Sequence, residues 1–517
     1  MNPVRHIDIA CARDPAADCL IDGRSGDRLS YSEVRDRTMR VAGALKHRAH
    51  IARAGILSPN DVTAFIVQLG CFRAGVVPIA GNHRYATADN AAIFARFKAD
   101  VIFLHPDLAV LAPQLITEMG RSVEIVVLGQ DVGPDTSDLE TWCGDARSEG
   151  VVVGDPETPY SIQPTGGTTG LPKGVLLPVR EADFSVASFL SLAPARRRPV
   201  FLAAVPLTHA AGKIANAIFA QGGSCVVLGA AEPGAILAAI ERWGVTQTFL
   251  PPTVIYGLLD SGLIPNHDLS ALEYLFYGAA PMSPARLADA VRALGPVMAQ
   301  VYGQTESGLP NCFLGPADHL GSDGQPAGPE RLSSAGRINP MCEIALLGED
   351  GQPVAPGEIG EIAVRGDGVM LGYVGDAEAT AATRCNGWHL TGDLARIDDE
   401  GFVHIVDRAK DLIISGGFNI YPAEVERVVN AHPAVADCAV IGVPDDRWGE
   451  AVTAVVETKP GQTVASDDLI ALCKERIGSL KAPKSVIMID TLPRSPVGKV
   501  LKRELRERFW HEKERLV

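Results

Sequence analysis

The segment Pro164-Thr165-Gly166-Gly167-Thr168-Thr169-Gly170-Leu171-Pro172-Lys173-Gly174 concentrates the residue types that grip a polyphosphate. Gly166, Gly167 and Gly170 let the backbone turn sharply and come close to an anion. Thr165, Thr168 and Thr169 offer hydroxyl donors, and Lys173 supplies a cation. The short run Tyr160–Ile162 ahead of it reads as a strand feeding the loop. This is not a Walker A loop, since no Gly-x-x-x-x-Gly-Lys-Ser/Thr string is present. A Gly/Thr run alone reads as a surface loop; the Leu-Pro-Lys-Gly continuation is what points to phosphate chemistry.

Thr165 to Gly174 resembles the signature loop of the adenylate-forming enzymes, which include acyl- and aryl-CoA synthetases, luciferases and the adenylation domains of peptide synthetases. The family more often has Ser where Gly166 stands, so one hydroxyl is missing here. Further motifs follow in the family's order over nearly the whole chain. Pro206-Leu207-Thr208-His209-Ala210-Ala211-Gly212 is similar to a segment whose histidine borders the carboxylate pocket. That likeness implies that His209 shapes or gates the acyl pocket, although a histidine in an apolar stretch is by itself a core residue. Tyr277-Gly278-Ala279-Ala280-Pro281 resembles the strip lining the adenine and acyl sites; Tyr277 replaces a smaller residue and is expected to narrow the acyl pocket.

Val301-Tyr302-Gly303-Gln304-Thr305-Glu306 is similar to the family's Tyr-Gly-x-Thr-Glu. The resemblance implies that Tyr302 packs on adenine, Thr305 bonds the α-phosphate and Glu306 holds Mg²⁺. Val301, Gly303 and Gly308 are expected around the acyl group, with Gly308 leaving space for it. A string of this kind otherwise reads as a turn entering a helix. In His389-Leu390-Thr391-Gly392-Asp393, the likeness makes Asp393 the acceptor for both ribose hydroxyls, with Arg408 beside it. An Asp after Gly is otherwise a turn former.

Lys410 stands at the family's hinge position. The glycine-rich stretch Ile414-Ser415-Gly416-Gly417-Phe418 is expected to be a loop lining a pantetheine tunnel. Lys499, in Ser495-Pro496-Val497-Gly498-Lys499, resembles the lysine that bridges the attacking carboxylate and the nucleotide. The resemblance implies an AMP-forming acid–CoA ligase using ATP, Mg²⁺ and coenzyme A. It leaves open transfer to a carrier-protein phosphopantetheine, luciferase-like oxygen chemistry, and a non-catalytic adenylate-binding protein.

These groups need a scaffold, and the patterning describes one. Of 517 residues, 46% are hydrophobic and 21% charged, which suits a globular chain of several domains rather than a disordered or fibrous one. The net charge of −15 argues against nucleic-acid partners, which demand Lys/Arg to displace phosphate counterions. The ten cysteines include no Cys-x-x-Cys pair, which excludes a zinc knuckle and fits buried thiols in the cytoplasm. The N-terminus has no apolar signal core, and Ile214 to Ala231, broken by Gly222-Gly223, reads as helix, turn and buried strand rather than a membrane span. No residue pattern sets the oligomeric state, and a homodimer is carried only as a prior expectation.

Ser30 and Glu33 form a capping box that opens a helix, and Val62 to Phe72 reads as a second. Strand runs at Val76–Ile79, Val101–Leu104, Val123–Leu128, Val200–Ala204, Thr246–Leu250 and Leu272–Tyr277 alternate with helical segments such as Pro233–Trp243 and Ser283–Leu294. This predicts an α/β fold: a large N-terminal lobe of helix-covered sheets, then a β-rich subdomain from about Pro340 carrying half-exposed strands. A small, mobile C-terminal α+β domain follows, with helices Pro422–Asn430 and Asp467–Leu480 and strands Ala436–Gly442, Ala451–Glu457 and Ser485–Ile489. The expected domains are 1–408, binding AMP and acyl group, and 409–517, with its hinge at Lys410 and Lys499 as catalytic residue.

Overall fold

The structure, a computed structural model, describes residues 2–129, 133, 136–148, 150–151, 155–165, 172–445, 447–494 and 500–510. It divides into two compact units, one of residues 1–344, 363–391 and 400–403, the other of 345–362, 392–399 and 404–517.

Two large sheets form the first unit's framework. One has nine strands, in spatial order Arg337–Ile338, Gly308–Leu314, Met298–Gln304, Tyr274–Gly278, Gln247–Phe249, Val200–Ala203, Ser224–Val227, Asp18–Asp22 and Arg28–Ser30. The six from Met298–Gln304 to Asp18–Asp22 pair in parallel, with antiparallel strands at both margins. The other has eight strands, in order Gly372–Tyr373, Lys173–Pro178, Pro159–Thr165, Val77–Ala80, Arg53–Leu57, Val101–Leu104, Glu124–Val127 and Thr136–Asp138. Its pairings are parallel from Pro159–Thr165 onward. Strands buried on both faces must be apolar throughout, and all four side chains of Val101–Leu104 are fully buried.

Helices cover these sheets where the patterning places them. Tyr31–His47 opens on the reciprocal Ser30–Glu33 capping box. Val62–Ala74 starts at Asp61, which accepts Ala64 N–H, and stops at Gly75, whose φ of 77° ends the helix without steric cost. Most strand boundaries fall within a residue or two of those expected. The helix Val4–Arg13 had no expectation attached to it, yet it buries Val4, Ile7, Ala10 and Cys11. All ten cysteines are free thiols, eight of them buried. No helix of the described residues is long and apolar enough to cross a membrane.

In the second unit the strands Phe418–Ile420, Ile413–Ser415, Gly449–Thr458 and Val435–Asp445 lie in that order, and Ser485–Ile489 pairs parallel to Gly449–Thr458. Helices Pro422–Asn430 and Ser466–Lys481 pack Val425, Val429, Leu469 and Cys473 onto the sheet. The expected glycine-rich loop is a tight hairpin, Ser415 opposite Phe418, turned by Gly416 and Gly417 at φ 59° and 81°. Two consecutive positive φ values are what a two-residue turn between right-twisted strands requires.

Candidate functional site

Two hairpins of the first unit carry the segments expected to handle phosphate. Pro159–Thr165 and Lys173–Pro178 pair antiparallel with Thr165 opposite Lys173 at the end of the ladder, and Thr165 Oγ1 donates to Lys173 O at 3.4 Å. Gly166, Gly167, Thr168, Thr169 and Gly170 lie outside the described residues. Met298–Gln304 and Gly308–Leu314 form the second hairpin, with Thr305, Glu306 and Ser307 at its tip. The expected alternative, a turn entering a helix, is therefore not what forms.

A third segment joins them. Gly372–Tyr373 pairs with Lys173–Pro178, Tyr373 opposite Val175. The Tyr373 ring lies 4.7 Å from Lys173 Nζ, and its hydroxyl donates to Glu306 Oε1 at 3.1 Å. Met370 N also donates to Glu306 O at 2.9 Å. Burial, and then the Glu306 charge, push the phenol well above its ordinary range, so it remains a donor. The structure thus brings Lys173 and Glu306 to two sides of one tyrosine that the sequence reading missed. Its only signal was a Gly-Tyr pair, which reads as a strand end.

Small residues shape the adjoining strip. A side chain on Gly278 would run into the Val301 carbonyl, and one on Gly303 into that of Gly308. Ala279 is held at φ 67°, where alanine rarely sits, and Ala280 after it is exposed. Tyr302 and Thr305 are half-buried in the same hairpin, and Gln304 Nε2 donates to Thr391 O at 2.9 Å.

His209 precedes the helix Ala210–Ala220 and is exposed, its Nδ1 2.9 Å from Thr208 Oγ1. Gly212 has to be glycine because a Cβ there would enter the Leu207 carbonyl. Ala211 and Ala215 of this helix pack in one apolar layer with Phe276 and Val301. Four residues beyond His209, Lys213 forms a 2.6 Å ion pair with the fully buried Glu181, which also accepts from Tyr160 and Ser185. Neither partner had been singled out.

Two expectations about the acyl pocket change. Strand alternation sends Phe276 toward the His209 helix and Tyr277 to the opposite face, among Leu275, Met282 and Leu287. Tyr277 is 1% exposed, its hydroxyl 2.9 Å from His319 Nε2 and 3.1 Å from Gln300 Oε1. Its ring does not stand with His209 on one wall. Gly308 leaves no free space either: at φ 89°, its missing Cβ would lie 2.8 Å from Gly368 Cα and 2.9 Å from the Phe184 ring. Glycine serves close packing and a left-handed backbone there.

In the second unit Asp393 is 4% exposed and lies 2.5 Å from Arg408 Nε. Glu361 Oε1 accepts Gly392 N–H at 2.7 Å, with its own carboxyl raised chiefly by burial. Lys410 is exposed in the short helical turn Ala409–Asp411. Lys499 lies outside the described residues. Its flanks are pinned, however: Arg494 bridges Val500, and Leu501 N donates to Pro493 O at 2.8 Å.

Comparison with known proteins identifies the family. The AMP-binding enzyme family matches residues 7–374, and the AMP-binding enzyme C-terminal domain matches 424–499. The medium/long-chain-fatty-acid–CoA ligase FadD8 of Mycobacterium tuberculosis is 40% identical over 481 residues, covering 88% of this chain and 81% of that protein. The feruloyl-CoA synthase of an Amycolatopsis species is 36% identical over 94% of both chains. Among solved structures, ATP-bound MatB from Rhodopseudomonas palustris superposes with a TM-score of 0.87 at 27% identity, over 99% of each chain. The chain belongs to the AMP-binding enzymes, the adenylate-forming ligases whose motifs it carries from the Thr165–Gly174 loop to Lys499.

Proposed function

We propose that this protein is an AMP-forming acid–CoA ligase acting on a carboxylic acid with an apolar body, aromatic or aliphatic. The observation that carries the reading is the approach of Lys173 and Glu306 to Tyr373, beside the base of the signature loop. A cation for phosphate and a carboxylate for a metal then meet where the edge strand of the eight-stranded sheet touches a hairpin tip of the nine-stranded one. The relatives' names, a fatty-acid ligase and a feruloyl-CoA synthase, support CoA as acceptor.

A carboxylate is a poor electrophile, and two anions must meet for it to be activated. Lys173 and the loop hydroxyls bind the triphosphate, Thr305 the α-phosphate, and Asp393 with Arg408 the ribose. Lys499 neutralises the acid as its oxygen attacks the α-phosphorus and the bond to the β-phosphate breaks, releasing pyrophosphate. Glu306 fits a magnesium ion carried by ATP, because Tyr373 occupies one carboxylate oxygen and leaves a hard oxygen donor. When bound, such an ion supplies charge neutralisation on the phosphates.

In the second step the CoA thiol attacks the acyl carbonyl, the carbonyl–phosphate oxygen bond breaks, and AMP leaves. Residues 409–517 turn about Lys410 between steps, withdrawing Lys499 and presenting Gly416-Gly417. An apolar substrate body is supported by the relatives' names, a fatty-acid ligase and a feruloyl-CoA synthase. The test is pyrophosphate release with benzoates, hydroxycinnamates and C4–C16 acids, with and without CoA. Pyrophosphate and a thioester from at least one acid are expected. Thioester formation only on a phosphopantetheinylated carrier would overturn the CoA assignment, and silence with every acid would overturn the activity.

A further inference from the structure

We propose that Tyr373 is a positioning residue for adenylation, keeping Lys173 and Glu306 from neutralising each other and aiming each at its own part of the metal–nucleotide. The proposal rests on the reading above and extends it to a residue outside the recognised motifs.

Opposite charges that share a small site would ordinarily pair. A direct Lys173–Glu306 ion pair would consume donors that a phosphate needs and an oxygen that a metal needs. The tyrosine gives each a different partner. The ammonium meets the ring face at 4.7 Å, an attraction that leaves its N–H groups available. The carboxylate receives one O–H bond on Oε1, which fixes its plane and leaves Oε2 for the metal. Among the described residues Lys173 has no carboxylate partner. Burial keeps the phenol protonated, so the donor role survives at neutral pH.

Tyr373 is itself held at both ends of its backbone. Its own N–H donates to Thr380 Oγ1 at 2.9 Å, and that hydroxyl donates to Asp376 O at 2.8 Å. Asp376 caps the helix Ala377–Ala381 by accepting Ala379 N–H. Gly372 sits at φ 154°, and a Cβ there would fall 2.8 Å from the Thr380 side chain. Strand pairing to Leu176 and Val175 completes the clamp. A tyrosine fixed this way transmits the register of the signature-loop hairpin to the tip that bears Glu306.

The two contacts separate by mutation. Tyr373→Phe keeps the ring under Lys173 and removes the bond to Glu306, whereas Tyr373→Leu removes both. Calorimetry on the full chain measures ATP affinity with and without Mg²⁺, and a second assay follows thioester formation from supplied acyl-AMP. Tyr373→Phe should bind metal-free ATP as the parent does but lose about tenfold of the affinity gained with Mg²⁺. Tyr373→Leu should weaken metal-free ATP as well. The acyl-AMP step should stay within about twofold in Tyr373→Phe, since loss of one hydroxyl touches only the polyphosphate side. In a Glu306→Gln background, Tyr373→Phe should add nothing further.

An unchanged Mg²⁺ gain in Tyr373→Phe would overturn the proposal, as would an equal fall in both half-reactions, the mark of a merely structural tyrosine. If the parent itself binds no ATP, the adenylation reading fails instead, so the two failures are distinguishable.

Discussion

Lys502 Nζ lies 2.7 Å from Glu426 Oε1, and that same oxygen accepts Val440 N–H at 2.7 Å. The lysine three places after Lys499 is thereby fastened to the helix Pro422–Asn430 and the strand Val435–Asp445. Burial alone would push Lys502 down, but Glu426 and Asp407 outweigh it and hold the ammonium above its ordinary value. Arg506 adds a 2.8 Å pair to Asp411, the residue after Lys410. Lys502→Met should destabilise the second unit by about 2–3 kcal/mol, less than full burial of the orphaned carboxylate would cost. Lys502→Met with Glu426→Leu should recover most of that loss. Hydrogen exchange along 435–445 in the full chain reads both; equal exchange in the single and double variants would show that the pair is not coupled.

Acid should unfold the protein through two buried histidines. Burial lowers His319 and His389 to about 4, the latter helped by the Arg384 charge. His319 is satisfied on both nitrogens, by Tyr277 and Gly315, whereas neither nitrogen of His389 has a partner among the described residues. Unfolded histidine titrates near 6.5, so between pH 6.5 and 4 the unfolded chain holds the extra protons. Stability from these groups is complete above pH 6.5 and drains away as pH falls toward 4. His389→Leu should cut the slope of stability against pH near pH 5 by about 1 kcal/mol per unit. At pH 8 it should cost little, because it removes two unpaired polar atoms. Urea melts at several pH values check the slope; an unaltered slope would place the acid sensitivity elsewhere.

How much of this was readable beforehand depends on range along the chain. The family was legible because the Thr165–Gly174 motif is local in the chain, and the parallel sheets were legible because Val101–Leu104 and its like are apolar on both faces. Tyr373 was not, because its meaning arises only when Gly372–Tyr373 pairs with a strand far earlier in the chain. That Tyr277 lies on the opposite face of its strand from Phe276 was not legible, because a strand reverses sides at every residue and no local feature marks which side meets which helix. Gly308 was read as open space when its φ of 89° and its neighbours Phe184 and Gly368 account for it.

The reassigned faces make a prediction about acid selectivity. Phe276 lies fully buried in the same apolar cluster as Ala211 and Ala215, edge-to-face on Phe189 with centroids 5.5 Å apart. Phe276→Ala removes the largest side chain of that layer and should shift preference toward longer or bulkier acids by about tenfold in kcat/KM, at a stability cost of about 3–5 kcal/mol. Phe276→Leu, costing less, keeps the test readable if alanine is not tolerated. Tyr277→Phe breaks the bonds to His319 and Gln300 and should lower stability by about 1–2 kcal/mol without moving the acid profile. A profile that moves with Tyr277 and not with Phe276 would restore the original assignment.

The division of labour between half-reactions is the sharpest test of the chemistry. Lys499 is assigned to the first step alone, where an ammonium offsets the meeting of carboxylate and nucleotide; in the second step the electrophile is already formed and the nucleophile is a thiol. Lys499→Ala should therefore lower acid-dependent pyrophosphate formation by about 10²–10³-fold, the scale of losing one preorganised charge contact. Thioester formation from supplied acyl-AMP and CoA should stay within about threefold, because no transition-state contact is lost there. Lys410→Pro addresses the other step, since a fixed φ near −65° stiffens the turn Ala409–Asp411. It should slow thioesterification more than adenylation. Rapid-quench assays of each half-reaction separate the two variants: opposite step selectivity supports one site used twice, while parallel losses in both would mean that Lys499 and Lys410 act on the fold and not on the exchange between steps.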